Sequence, residues 1–364
     1  MLRWQGPTPA APLSLGGLPL SVALYYDDLF LGHDTLTHPE NASRVQAAID
    51  LLHSSPLIDR LEQPACRDAT LEELTRVHTP EHVQRVQAFG RHGPVMVLAD
   101  TIANTGTYAA ALRAAGAVAG ATEAVVRGDF DAANCLVRPP GHHAVAGAPM
   151  GFRFFNSVAV AARHATAALG LSRVAIVDID IHHGNGTQDT FYEDSSVLYV
   201  STHQYPYYPG TGHWREAGAG AGAGSTLNLS LPGGCGDPEY GQVMEEVIAP
   251  KLRGYHPELI LVSAGYDAHH ADPIDGAMMR LSSAGYAGLI MSLRALAQVL
   301  CGGRIVVALE GGYDLTALSW SVRNSIEALL DESPTPDPAG PAPQIKVPDI
   351  GELIANVRRL HGLS

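Results

Sequence analysis

Two carboxylates and two imidazoles crowd the end of the stretch VAIVDIDIHHGNG, Val174–Gly186: Asp178, Asp180, His182 and His183 follow an apolar run. In a strand, residues i, i+2 and i+4 share one face. Asp178, Asp180 and His182 would therefore point the same way. A buried carboxylate needs a cation or several donors. One such Asp is ordinarily a hydrogen-bonded strand terminus, but the whole D-x-D-x-H-H set points to a bound metal. A second apolar run, ELILVSAGYDAHHADP, delivers Asp267 with His269 and His270 behind it. A third, RIVVALEGGYD, reaches Tyr313 through a Gly pair that lets the backbone turn sharply. Taken alone, Asp267 would be a helix cap and Tyr313 a packing residue. Their value lies in falling at corresponding ends of similar runs. The fourth piece is RPPGHHA, where His142 and His143 follow a rigid Pro-Pro-Gly turn that suits two imidazoles held in defined places.

These residues describe amide hydrolysis. A metal held by Asp180, His182 and Asp267 keeps a coordination position open for water and substrate. Zinc, ferrous iron or cobalt suits such nitrogen and oxygen ligands. It would lower the pKa of water and polarise a carbonyl. His142 and His143 would take and return protons, and Tyr313 would hydrogen-bond the developing oxyanion.

Positioning these groups requires a sheet. LPLSVALYYD, ANCLVRPPG, SVLYVSTH and TLNLSL read as further strands, and the apolar runs are Val/Ile/Leu-rich rather than alternating. Between them, HPENASRVQAAIDLLHSS reads as a capped amphipathic helix, Thr107–Gly128 as a long Ala-rich helix, and NSVAVAARHATAALG as a helix closed by Gly170. Strands alternating with helices predict an α/β fold with a mainly parallel sheet covered on both faces. AGAGAGAG reads as a flexible loop, because no phosphate-binding fingerprint accompanies it. Asp331–Gln344 is Pro-rich and reads as a linker, within a segment taken as 331–347. The last segment, 348–364, reads as an amphipathic helix that docks back or mediates association.

Composition narrows the classes. The net charge of −14 argues against a nucleic-acid surface. It is compatible with a cationic substrate, although acidity for solubility is the more ordinary cause. The four Cys are far apart and form no CxxC pair, which predicts neither disulfides nor a thiolate metal site and fits a cytoplasmic setting. No apolar run reads as a membrane span. Residues 1–19 are too broken by Pro and Gly for a signal peptide and read as an N-terminal extension.

The motifs RPPGHHA, DIDIHHGNGTQ, SAGYDAHHADP and LEGGYD resemble those of the zinc-dependent histone deacetylase family, which includes acetylpolyamine amidohydrolases and acetoin-utilisation proteins. HPENASR (His38–Arg44) and YYPGTG are similar to two further family segments, and the likeness runs in order from about Tyr25 to about Leu330. Gly-Asn-Gly after the His pair, and Glu310 before Gly-Gly-Tyr, resemble the class II and bacterial branch. The resemblance implies a single arginase/deacetylase-type α/β domain over residues 20–330. It implies zinc on Asp180, His182 and Asp267, with His143 as general base and acid, and His142 as its electrostatic partner. Asp178 would pair with His142, Asn185 would stand beside His143, and Tyr313 would polarise the carbonyl. Phe152 and Tyr208 would wall an acyl-lysine tunnel, with Gly151 giving a backbone contact. Ile274 would form an apolar rim, and Asp100 would grip substrate backbone. A structural potassium is implied near Asp178, Asp180, His182, Ser201 and Thr202.

The expected substrate is an acylated lysine on a peptide or protein. An acetylated polyamine is the alternative, since dimerisation can narrow such a channel and a homo-oligomer would then matter. A two-metal ureohydrolase would need more carboxylates than GYDAHH offers. A non-catalytic acyl-lysine binding module would require a lost base, ligand or Tyr, and none is missing. One departure stands out: GFRFFN carries Arg153 where the family usually has Cys. A cation there would reshape the inner pocket or favour an unusual acyl group, unless the side chain swings outward.

Overall fold

The strands predicted from the sequence find one another in a single parallel sheet, and its order decides where the chemistry falls. The computed structural model describes residues 20–343, 345–346 and 348–363, so the expected extension at residues 1–19 lies outside them. The strands are β1 (Val22–Tyr25), β2 (Val95–Leu98), β3 (Thr101–Ala103), β4 (Ala132–Cys135), β5 (Val174–Asp178), β6 (Val197–Gln204), β7 (Thr226–Leu231), β8 (Leu259–Ala264) and β9 (Ile305–Leu309). Seven of them form the sheet in the order β1-β4-β9-β8-β5-β6-β7, while β2 and β3 make a separate antiparallel hairpin. Every residue of the seven sheet strands is buried. That matches apolar runs without alternation, because a parallel sheet is covered on both faces.

The helices are α1 (Ser43–His53), α2 (Leu71–Thr75), α3 (Pro80–Ala88), α4 (Thr107–Arg127), α5 (Ser157–Ala167), α6 (Asn185–Phe191), α7 (Asp237–Val243), α8 (Ala249–Tyr255), α9 (Ser283–Cys301), α10 (Leu315–Leu329) and α11 (Gly351–Leu360). One layer is built on α4 and α5, the other on α1, α9 and α10. Both α4 and α9 are long and apolar enough to cross a membrane by length and composition, yet most of each is buried in this core. Thr70, Thr79, Asn156, Ser282 and Asp314 cap α2, α3, α5, α9 and α10 through their side chains. The predicted cap of α1 differs. Its first flanking residue is Ala42, which offers no acceptor, and Glu40 is committed to a buried ion network described below.

Beyond α10 the Pro-rich segment lies against the domain. Thr335 donates from its backbone N–H to Glu327 (2.7 Å), and Gly340 O meets His270 Nε2 (3.1 Å). Then α11 packs on β7, burying Ile354 and Val357. This helix docks on its own chain.

In sheet order the chain steps outward from β5 to β6 and β7, then returns to β8 on the other side of β5. That reversal is a topological switch point. In open α/β sheets, ligands bind outside the carboxyl ends of the strands at such a point.

Candidate active site

Four neighbouring strands deliver the chemistry from their carboxyl ends. After β4 come His142 and His143, after β9 Tyr313, after β8 Asp267, and from β5 Asp178, Asp180 and His182. Ligand atoms of Asp180, His182 and Asp267 all lie within 4.8 Å of one another, in a buried cluster. His182 Nδ1 stands 2.9 Å from Asp180 Oδ1 and 3.3 Å from Asp267 Oδ2. The carboxylates are fixed by backbone donors: Gly311 N–H to Asp180 Oδ2 (2.9 Å) and Ile181 N–H to Asp267 Oδ1 (3.0 Å). Asp267 Oδ2 is buried with no hydrogen-bond partner. Burial works against charge on His182, but Asp180 and Asp267 outweigh it and push the imidazole up to about 9. Two buried carboxylates facing one nitrogen call for a cation, and this donor set fits a divalent metal.

The Gly pair before Tyr313 serves two ends. Gly312 takes a φ of +116°, as the sharp turn requires. Gly311 instead supplies space, since a Cβ there would sit 2.0 Å from Asp267 Oδ2 and 2.7 Å from Asp180 Oδ2.

The two His residues are oriented through their Nδ1 atoms. His142 Nδ1 lies 3.0 Å from Asp178 Oδ2, and His143 Nδ1 lies 2.8 Å from Asn185 Oδ1. A carboxylate can only accept here, so His142 carries its proton on Nδ1; the Asn185 oxygen asks the same of His143. Both Nε2 atoms are buried and unpartnered. Burial, then His142 and Arg153, hold the His143 imidazole well below its ordinary value. It is therefore neutral and able to take a proton. The Tyr313 hydroxyl is likewise buried without a partner.

A cavity of about 170 Å³ opens onto these groups, lined by residues that include Asp100, His143, Gly151, Phe152, His182 and Ile274. Tyr207 and Tyr208 complete its wall. The Tyr207 ring stacks on His182 at 5.0 Å, and the Tyr208 ring meets His143 edge-on at 5.1 Å. Phe152 has the left-handed φ of +75°. It is held by a hydrogen bond from its N–H to Thr101 Oγ1 (3.1 Å) and by the His38 ring at 4.4 Å. A larger groove of about 560 Å³ beside α7, α8 and α9 contains none of the predicted site residues.

The histone deacetylase domain model matches residues 38–329. The chain is 41% identical over 326 residues to histone deacetylase 14, chloroplastic, of Arabidopsis thaliana, covering 85% of this chain and 77% of that protein. It is 36% identical over 328 residues to a probable deacetylase of Archaeoglobus fulgidus, covering 88% and 90%. The crystal structure of the HDA15 HD domain superposes with a TM-score of 0.85 at 36% identity, covering 94% of each chain. The chain belongs to the histone deacetylase family. It has that family's fold, and it is a hydrolytic deacetylase acting on acetylated substrates.

In this deacetylase His143, His182, Gly151, Phe152, Tyr208, Ile274 and Asp100 line the cavity; Asp180 and Asp267 cluster with His182, Asp178 and Asn185 hold His142 and His143, and the Tyr313 ring lies 6.3 Å from that of Phe152. Of the residues tied to potassium, Asp178 and Ser201 are register partners across β5 and β6, and the Thr202 hydroxyl donates to Asp178 O (3.3 Å). His183, His269 and His270 are held by hydrogen bonds away from the cluster. His183 is held between Thr211 Oγ1 (2.8 Å) and Gln188 Oε1 (3.0 Å). His269 and His270 face Ser283 and Gly340.

Several positioning residues were not assigned from the sequence. Glu310 Oε2 accepts from the N–H groups of Gly141 (2.7 Å) and His142 (3.0 Å), clamping the His turn to β9. Asp272 Oδ2 accepts from Tyr313 N–H (2.6 Å). Fully buried Glu40 binds Arg138 through both carboxylate oxygens (2.6 and 3.0 Å) and Arg44 through one (3.1 Å). Arg44 in turn donates to the carbonyls of Glu310 (2.6 Å) and Gly312 (2.5 Å), and its guanidinium covers the Tyr313 ring at 5.0 Å. One ion network thus ties the Pro-Pro-Gly turn to the Glu-Gly-Gly-Tyr segment. The only signal was HPENASR, where an acid and a base stand four residues apart at the head of a helix.

Proposed function

We propose that this deacetylase hydrolyses acyl groups from lysine side chains of peptides and proteins, with zinc held by Asp180, His182 and Asp267. One observation carries the reading. His142 Nε2, His143 Nε2, Tyr313 Oη and Asp267 Oδ2 are all buried and unpartnered, and they belong to a constellation at the inner end of an aromatic-walled cavity. Unpaired buried polar atoms are costly, so their convergence supports a reacting group there. A metal ion, when bound, polarises the amide carbonyl and makes a water acidic. His143 Nε2 takes a proton from that water and returns it to the departing amine. Asn185 keeps His143 oriented, and Asp178 keeps His142. Tyr313 Oη donates to the carbonyl oxygen as charge builds on it.

Phe152 and Tyr208 suit the flat aliphatic stem of lysine, and Gly151 offers its backbone beside them. Asp100 at the mouth would accept from substrate backbone N–H groups, and Ile274 would pack on the stem. We assign a structural potassium to the segment of Asp178, Asp180, His182, Ser201 and Thr202. We place the protein in the cytoplasm, consistent with four cysteines that are all free. Asp275 also lines the cavity and would suit the distal ammonium of an acetylpolyamine, whereas apolar Ile274 favours a peptide.

Turnover of an acetyl-lysine peptide against acetylputrescine by the zinc-loaded enzyme tests the choice, with His143→Ala and Tyr313→Phe as controls. Peptide turnover lost in both controls is the expected result. Turnover of acetylputrescine alone would replace the lysine reading with a polyamine one. Turnover of neither, nor of any other acyl-lysine peptide, by enzyme carrying one zinc would overturn both.

A further inference from the structure

The residue that departs from the family pattern points inward. Arg153 is 1% exposed and lines the same cavity as His143 and His182. One guanidinium nitrogen, Nη1, donates to Gly151 O at 2.6 Å. The other two, Nε and Nη2, are buried with no hydrogen-bond partner. Two carboxylates lie near, but Nη2 is 3.6 Å from Asp180 Oδ2 and Nε is 3.8 Å from Glu310 Oε2. Those distances balance charge without making hydrogen bonds. Both acids already spend oxygens on backbone donors, Asp180 on Gly311 N–H, Glu310 on Gly141 and His142 N–H. A purely structural counter-ion would use its N–H groups on these acids. Arg153 instead holds them unspent, beside a metal-ligand carboxylate, at the wall of the cavity.

Its bulk and its chemistry select together. A guanidinium in place of a small side chain leaves little depth beyond the reacting carbonyl, so the acyl chain must be short. Unspent N–H groups ask for an acceptor oxygen. A further anion would face the like charges of Asp180, Asp267 and Glu310, whereas a neutral hydroxyl does not. We propose that Arg153 makes this enzyme select short acyl groups bearing a hydroxyl on the carbon next to the amide carbonyl, so that its preferred substrates are 2-hydroxyacyl-lysines. This rests on the acyl-lysine reading above. The reaction is the same hydrolysis. The oxygen of water joins the carbonyl carbon, the carbon–nitrogen bond breaks and both water protons end on the nitrogen. The products are the lysine ammonium and a 2-hydroxycarboxylate.

The test compares matched peptides carrying lactyl-, propionyl-, acetyl- and succinyl-lysine on the zinc-loaded full chain. Lactyl and propionyl differ only by the hydroxyl. The expected result is a kcat/KM ratio of lactyl to propionyl of at least about tenfold, because a site built to bond a hydroxyl rejects the analogue lacking it. Arg153→Met should bring that ratio close to one. If acetyl- and propionyl-lysine are turned over and the wild-type ratio is near one, the proposal fails while the lysine reading stands. Preference for succinyl over lactyl would overturn it in favour of an anionic chain. Should no acyl-lysine be turned over, calorimetric titration with lactate and with propionate still decides: equal affinity refutes the role of Arg153. The wild-type comparisons do not depend on the variant folding.

Discussion

Replacing Tyr313 by Phe separates a catalytic hydroxyl from a structural one. The Tyr313 ring is held by the Arg44 guanidinium at 5.0 Å, and its backbone N–H by Asp272 at 2.6 Å. None of these contacts uses the hydroxyl, which is buried with no partner. Deleting the oxygen therefore orphans nothing. It removes a desolvated polar atom, which should leave stability unchanged or raise it by up to about 1 kcal/mol. The activity should move the other way. Losing one preorganised donor to a developing oxyanion costs about 2.7–4 kcal/mol, or about 10²–10³ in kcat. Because that hydrogen bond strengthens only as charge develops, KM should change little. Urea denaturation monitored by tryptophan fluorescence gives the first quantity, and amine release from an acetyl-lysine peptide gives the second. A Phe variant that loses more than about 1 kcal/mol of stability, or keeps kcat within tenfold of wild type, would refute the assignment.

Gly311→Ala should abolish bound zinc and activity together, because the added Cβ would lie 2.0 Å from Asp267 Oδ2; metal analysis of the purified variant checks this, and one zinc per chain would contradict it. Chelation should inactivate the wild type and lower its melting temperature, with both restored by zinc, as expected when a ligand binds only the folded state. The Glu40 network predicts an acid limb. Burial opposes its charge, but Arg138, with His33 and Arg44, lowers the Glu40 carboxyl from an ordinary 4.5 to about 2. A depressed carboxylate stabilises above its unfolded pKa and loses that contribution as pH falls, here between about 4.5 and about 2. Roughly 3 kcal/mol is at stake. Stability against pH should show Glu40→Gln with a shallower slope in that window, by up to one proton, and an unchanged slope would remove Glu40 from the account.

The sheet and the metal cluster were legible because both break ordinary expectations in ways only one arrangement repairs. An apolar run such as VAIV that ends in D-x-D-x-H leaves carboxylates that a buried parallel strand cannot satisfy alone, and β8 and β9 end similarly. The groups that aim them were hidden by distance along the chain. Glu40 meets Arg138 across 98 residues, Arg44 meets Gly312 across 268, and Glu310 meets Gly141 across 169. Locally each looks like a surface charge, and only closure of the sheet makes it an interior partner. The β2–β3 hairpin was missed for the opposite reason. Val95, Met96 and Leu98 are exposed, so this short run reads neither as buried core nor as polar loop. Arg153 falls between these cases. The sequence marked its departure, but an Arg beside Phe152 could turn either way, and direction is a packing outcome. The inward turn is retained by one bond to Gly151 O (2.6 Å) and by the charges of Asp180 and Glu310. Asp180, a carboxylate of the metal cluster, thus also keeps a guanidinium at the cavity wall, and it is this contact between the cluster and Arg153 on which the proposed acyl selectivity rests.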